Sequence, residues 1–152
     1  MKIELPKIED LERINKLAIQ VHKLHVNWRP DIFVPTDIMF TENELKNIIE
    51  NKTMYVAKED EDVLGYATIK LREVAHPGHR YRKEMNIDVI VVDEEHRGKG
   101  IGTKLLTFIK DYSKSIGCTD LRLTVNEENK DAIKMYEKFG MTVKNITYSM
   151  QI

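Results

Sequence analysis

The stretch that most constrains this chain is an unbroken apolar run, Val89 to Val92, that passes through DEEH into RGKGIG and on into TKLLTFIKDYSKSIG. Four consecutive apolar residues, three of them valine, predict a strand buried on both faces. Ile101, Leu105, Phe108, Ile109, Tyr112 and Ile116 recur at helical spacing, and Gly117 closes that stripe. A strand, a glycine turn and a helix in that order aim several backbone N–H groups and the positive end of the helix dipole at one point. An anion belongs there. Glycines at 98, 100 and 102 remove Cβ atoms so that phosphate oxygens can approach the main chain, and Arg97 and Lys99 add charge at the rim. The spacing is neither the P-loop GxxxxGK[ST] nor the dinucleotide GxGxxG, and a plain strand-to-helix turn without a ligand is the competing reading.

The flanking segments predict an α/β fold. Ile3 and Leu5 read as a short strand ended by Pro6, and Leu11 through Trp28 carries an amphipathic helical stripe. TENE, from Thr41 to Glu44, has the capping-box spacing that opens a second helix. TMYVAKE, VLGYATIKLRE and MNIDVIVV then read as consecutive antiparallel strands, with the loop AHPGHRYRK before the third. LRLTVN predicts a strand, NKDAIKMYEKFG a helix ending at Gly140, and MTVKNITYSMQ a closing strand. This order implies a mixed, mostly antiparallel sheet with helices on both faces, within a single domain over residues 1–152.

Composition excludes several classes of function. Charged residues make up 32% of the chain but sum to a formal net charge of -1, which supplies no field for gripping nucleic acid. MKIELPKIED has neither the apolar core nor the small-residue cleavage site of a signal peptide, and no stretch reads as a membrane span, so a cytoplasmic protein is expected. The lone Cys118 lies in the polar connection SIGCTD and reads as incidental. His76 and His79 have HxxH spacing but no third ligand in a defined position, so no metal is expected.

RGKGIG, at Arg97 to Gly102, resembles the [QR]xxGx[GA] pyrophosphate signature of the GNAT N-acetyltransferases at every position. A second pattern of that family, an asparagine, an alanine and a tyrosine ahead of a closing GF, is matched by Asn129, Ala132, Tyr136 and Gly140, with Met141 in place of the phenylalanine. The resemblance runs from about Lys52 to the C-terminus. It implies the acyl-CoA N-acyltransferase fold and acetyl-CoA as cosubstrate. The implied cofactor-binding residues are Ile90, Val91 and Val92 on the strand; Arg97, Gly98, Lys99, Gly100, Ile101, Gly102 and Thr103 in the signature; and Asn129 with Tyr136. Tyr136 matches the tyrosine that protonates the departing thiolate in many relatives; its competing reading is a core tyrosine.

Asp88 interrupts an otherwise apolar strand and matches an acidic position common in relatives, which makes it the candidate base; its competing reading is a paired or solvent-facing strand residue. Trp28, just before the stiff connector RPDIFVP, Phe33, between its two prolines, and Tyr81 are candidates for one wall of the acceptor site. His22 and His25, one helical turn apart, could edge that pocket but read better as amphipathic filling, and Arg80, Arg82 and Lys83 read as a solvated turn. The expected activity is acetyl transfer to a primary amine by direct attack in a ternary complex. The expected partners are a small-molecule or protein amine and a second copy of the chain, without nucleic acid or membrane. A noncatalytic acyl-CoA sensor stands as the alternative, keeping RGKGIG and needing neither Tyr136 nor a base.

Overall fold

A computed structural model describes all 152 residues. Its single sheet has five strands in the order β1-β2-β3-β4-β5. They are β1 (Lys2–Glu4), β2 (Met54–Glu59), β3 (Asp62–Val74), β4 (Arg82–Val92) and β5 (Asp120–Leu123). β1 to β4 pair antiparallel, and β4 pairs parallel with β5. The parallel step needs a crossover, which α3 (Ile101–Ser115) provides. The other helices are α1 (Leu11–Trp28), α2 (Glu42–Asn51) and α4 (Lys130–Phe139).

Alternation along the strands divides the apolar residues between two cores. Ile14, Leu17 and Ala18 of α1 and Leu45 of α2 pack with Met54, Val56, Val63, Tyr66 and Val91 on one face of the sheet. Leu105, Leu106 and Ile109 of α3 pack with Tyr55, Ala57, Ala67, Met85 and Ile87 on the other, where Met135, Tyr136 and Phe139 of α4 join the margin. Helices on both faces of a mostly antiparallel sheet are what the sequence predicts. Thr41 caps α2, its hydroxyl accepting from the Glu44 N–H at 3.2 Å; the Glu44 carboxylate accepts from that same hydroxyl at 3.1 Å instead of reaching back to the backbone.

Two expectations need correction. The predicted closing strand does not form: residues 141–152 have no regular structure, and all beyond Met141 are exposed. Its alternating side chains give it a face but no partner in the same chain. The strand predicted over LRLTVN stops at Leu123, because its pairing with β4 ends at Ile87↔Leu123. No helix is long and apolar enough to cross a membrane.

Candidate functional site

The turn between β4 and α3 has the backbone its glycines allow. Gly98 and Gly100 stand at φ 75° and φ 80°, in the left-handed region where a side chain is costly. A Cβ built on either would meet nothing within 4 Å, so both face open space. Gly100 is the N-cap of α3 and offers no side chain to it; the first main-chain bond of that helix runs from the Lys104 N–H to the Gly100 carbonyl at 3.0 Å. The N–H groups of Ile101, Gly102 and Thr103 therefore begin the helix without an intrahelical acceptor. α2 and α4, in contrast, are capped by Thr41 and Asn129. Lys99 and Lys104 form no ion pair, and Arg97 reaches only the Val92 carbonyl, at 3.4 Å. The result is an open, cationic turn with free main-chain donors, suited to a phosphate or pyrophosphate.

Gly102 differs in kind from the other two. A Cβ there would lie 2.7 Å from the Met135 sulfur, so this glycine lets α4 close on α3. Its missing side chain serves packing, while its N–H remains part of the helix start.

A bulge shapes the approach to this cradle. Thr68 pairs with Val89 and Ile69 with Ile87, which leaves Asp88 as the extra residue of β4. The same place marks the end of pairing with β5. From Asp88 to Val92 the β5-facing edge of β4 has no strand neighbour, and the chain leads from there through the Glu94–His96 turn to Gly98 and Gly100. Ile90, Val91 and Val92 lie along that edge, with Val91 anchored in the α1–α2 core and Ile90 and Val92 against the α3–α4 core. Asp88 is exposed and accepts a 2.6 Å hydrogen bond from the Asn86 amide.

α4 supplies the remaining predicted residues. Asn129 caps it, its Oδ1 accepting from the Ala132 N–H at 3.3 Å, which gives this residue a structural duty that spacing did not reveal. Tyr136 is half-buried against the α3–α4 core, and its hydroxyl makes no hydrogen bond within the protein. Burial pushes its pKa up, so the phenol holds its proton at neutral pH.

The acceptor-wall candidates only partly converge. His25 sits between Trp28 (centroids 5.4 Å apart) and Phe33 (5.2 Å), and His22 meets Phe33 edge-on at 6.0 Å. Burial, and secondarily the nearby His22, lowers the pKa of His25. Tyr81 is exposed in the β3–β4 loop and stacks on none of these rings. In that same loop His76 and His79 pack edge to face at 5.3 Å.

One group was not anticipated from the sequence. Asp93, at the end of β4, is almost fully buried and is held by three side chains: Arg13 at 2.7 Å, His96 at 2.9 Å and Gln20 at 3.0 Å. Gln20 also accepts from the Glu94 N–H at 3.1 Å, and Arg13 donates to the Val63 carbonyl at 3.0 Å. Burial alone would raise the Asp93 pKa, but the hydrogen bonds from Gln20, His96 and Arg13, with the charge of Arg13, outweigh it and hold the carboxyl well below the usual range. The network ties α1 to the turn that carries the cradle. The only hint in sequence was a carboxylate directly after a buried strand, with Arg13 and Gln20 two helical turns apart on α1.

Comparison with known proteins agrees with this geometry. Residues 19–141 match the model of the Acetyltransferase (GNAT) family. The chain is 39% identical over 79 residues to the glucosamine 6-phosphate N-acetyltransferase of Arabidopsis thaliana, covering 52% of this chain and 46% of that one. It is 34% identical over 58 residues to the thialysine N-epsilon-acetyltransferase of Bos taurus, covering 38% of this chain and 34% of that one. The matched part is thus under half the length of both relatives. Among solved structures, a mutant of the BH1408 protein from Bacillus halodurans superposes with a TM-score of 0.93 at 28% identity, over 100% of this chain and 99% of that one. An aminoglycoside N-acetyltransferase in complex with CoA shares the fold at a TM-score of 0.70 and 16% identity, over 99% of this chain and 100% of that one. With the family model spanning most of the chain and both sequence signatures falling on the cradle and on α4, the chain belongs to the Acetyltransferase (GNAT) family.

Proposed function

We propose that residues 1–152 form one acetyltransferase domain that moves an acetyl group from acetyl-CoA to a primary amine by direct attack in a ternary complex. The observation that carries this reading is the uncapped start of α3, with Gly98 and Gly100 facing open space directly after the part of β4 that β5 leaves unpaired. These residues fit the pyrophosphate of CoA: they offer donors and cations and no competing carboxylate cap. Acetyl-CoA bound there supplies an acyl group already activated as a thioester. The N–H groups of Ile101, Gly102 and Thr103 hold the pyrophosphate, with Arg97 and Lys99 at its rim. The main chain of Ile90 to Val92 orients the pantetheine arm, and the N–H of Val92, which the alternation of the β3–β4 ladder turns away from β3, donates to the acyl oxygen, a contact typically worth about 3 kcal/mol.

Proton management falls to two side chains. Asp88 accepts the proton of the attacking amine directly or through water, and the Tyr136 hydroxyl donates one to the leaving sulfur. An unpartnered, protonated phenol suits that duty. Trp28 and Phe33, which flank His25, wall the acceptor, and Tyr81 stays outside this cluster. The relatives named for glucosamine 6-phosphate and thialysine support an amine acceptor, small or on a protein, without choosing between them. The deciding assay is free-thiol release from acetyl-CoA across an amine panel, with mass detection of the acetylated product. Tight binding of acetyl-CoA with no product from any amine would favour the sensor.

A further inference from the structure

We infer that the part of the sheet left bare beside α1 and α2 selects acceptors that carry an anionic group, a carboxylate or a phosphate, about 7 Å from the amine that is acetylated. This selection rests on the acetyltransferase reading and deepens it. Strand alternation sorts the residues at the N-terminal end of β4. Met85 and Ile87 pack in the α3–α4 core, so Glu84 and Asn86 stand on the opposite face. The register puts Arg72 of β3 and Asp120 of β5 beside Glu84, and Lys70 and Arg122 beside Asn86. The α1–α2 core stops short of these rows, its buried strand residues being Met54, Val56, Val63, Tyr66 and Val91. What it leaves open is basic.

Three cations converge there on one carboxylate without engaging it. Glu84 is 2% exposed, and its carboxylate oxygens lie 3.9 Å from Arg72 Nη2, 3.9 Å from Arg122 Nε and 3.8 Å from Lys144 Nζ. Each distance is beyond hydrogen-bond reach, and Glu84 Oε2 has no hydrogen-bond partner. The buried charge therefore offsets the repulsion among the cations while their donors stay free. The side chains of Arg72, Lys144 and Arg122 are 57%, 53% and 26% exposed, so all three are open to a ligand. Asp120, the other carboxylate in the row, is taken up by Arg82 at 3.5 Å and by the Thr119 hydroxyl at 2.6 Å. With the exposed Lys70, four cations stand against Glu84 and Asp88. A further anion completes the balance, and guanidinium forks suit a carboxylate or a phosphate.

The same face carries Asp88, the proposed base. The Asn86 amide donates to the Asp88 carboxylate at 2.6 Å, which fixes the base two residues from the row that holds Arg122. Two residues of strand span about 7 Å. An amine at Asp88 with its anion at Arg122 and Arg72 belongs to an ω-amino acid or an aminoalkyl phosphate; the α-amine of an amino acid is too close to its own carboxylate to reach both. The anion is not that of the cosubstrate. Glu84 lies at the opposite end of β4 from the glycine turn, eight residues from Val92, about 25 Å.

Free-thiol release from acetyl-CoA by the full chain, with matched acceptors, is the test. The pairs are 6-aminohexanoate with its amide, 4-aminobutyl phosphate with 4-aminobutanol, and glycine with glycinamide. kcat/KM should favour the anionic member of one or both of the first two pairs by about ten- to a hundredfold and show no such preference for glycine; the pair that shows it identifies the anion. Arg122→Gln and Arg72→Gln should each shrink that ratio about tenfold through KM in protein whose melting shows it folded, and Arg122→Lys should keep part of it. Cations that serve only to neutralise Glu84 would change stability and leave the ratio alone. Equal turnover of anionic and neutral partners would overturn the proposal, as would an equal preference for glycine, or a ratio that survives Arg122→Gln, Arg72→Gln and Lys144→Gln. If no amine is acetylated, the catalytic reading fails by itself, and calorimetry with acetyl-CoA present decides the anion site. Binding of 6-aminohexanoate or 4-aminobutyl phosphate that weakens in Arg122→Gln supports it, and absence of binding overturns it.

Discussion

At Gly100 a φ of 80° and open space outside the backbone make two separate demands on the same residue. Gly100→Val puts a β-branched side chain into the left-handed region, at a cost of about 1–2 kcal/mol, and projects it into the space assigned to phosphate. CoA affinity should fall at least tenfold, ~1.4 kcal/mol, while the variant stays folded. Calorimetric titration indistinguishable from the parent's would remove the cradle. Tyr136 separates catalyst from sensor. Tyr136→Phe keeps the half-buried ring and loses a hydroxyl that bonds to nothing in the protein, so melting temperature and CoA affinity should hold while kcat drops about a hundredfold. Because burial raises the phenol's pKa, the parent's turnover should show no loss from its ionisation until the pH exceeds that of an ordinary tyrosine, about 10. Full turnover in the Phe variant would strip Tyr136 of its assigned duty.

The elements differ in how far they could be read from local pattern. α1, α3 and α4 were legible because apolar stripes and their stops, Pro30, Gly117 and Gly140, lie within a few residues of one another. The end of β5 and the fate of the tail were not, since pairing depends on a neighbour that a strand's own residues do not name. The same holds for the site. RGKGIG marks its own glycine turn and helix start, yet the partners Arg13 and Gln20 that fix the turn before it lie 80 and 73 residues from Asp93. Asp93→Asn should cost about 2 kcal/mol at neutral pH by taking from Arg13 its buried charge partner and leaving only the exposed Asp62, 3.3 Å away. A carboxyl with a lowered folded pKa stabilises the fold fully above its unfolded value of 3.8, and that contribution drains away as pH falls through the folded value. The melting-temperature gap between parent and Asp93→Asn should therefore be widest at neutral pH and narrow below pH 3.8. A gap that stays constant into acid would mean that the ionised carboxylate is not what stabilises the turn.

Across the whole molecule the sheet stands between two cores, one under α1 and α2 and one under α3 and α4. Ile14 and Ile109, each at 0% exposure, sit in opposite cores, so Ile14→Val and Ile109→Val should each cost about 0.5–1.5 kcal/mol and add within ~0.5 kcal/mol when combined. Chemical denaturation of the two single variants and the double checks the sum, and a large interaction energy would mean that strain crosses the sheet. The partition also bears on how such a chain can diversify. Substitutions in α1 and α2 bear on one core, while the start of α3 packs in the other, with the grip of Arg13 and Gln20 on Asp93 as the bridge between them. One half of the protein can drift in sequence while the packing that supports the glycine turn stays as it is.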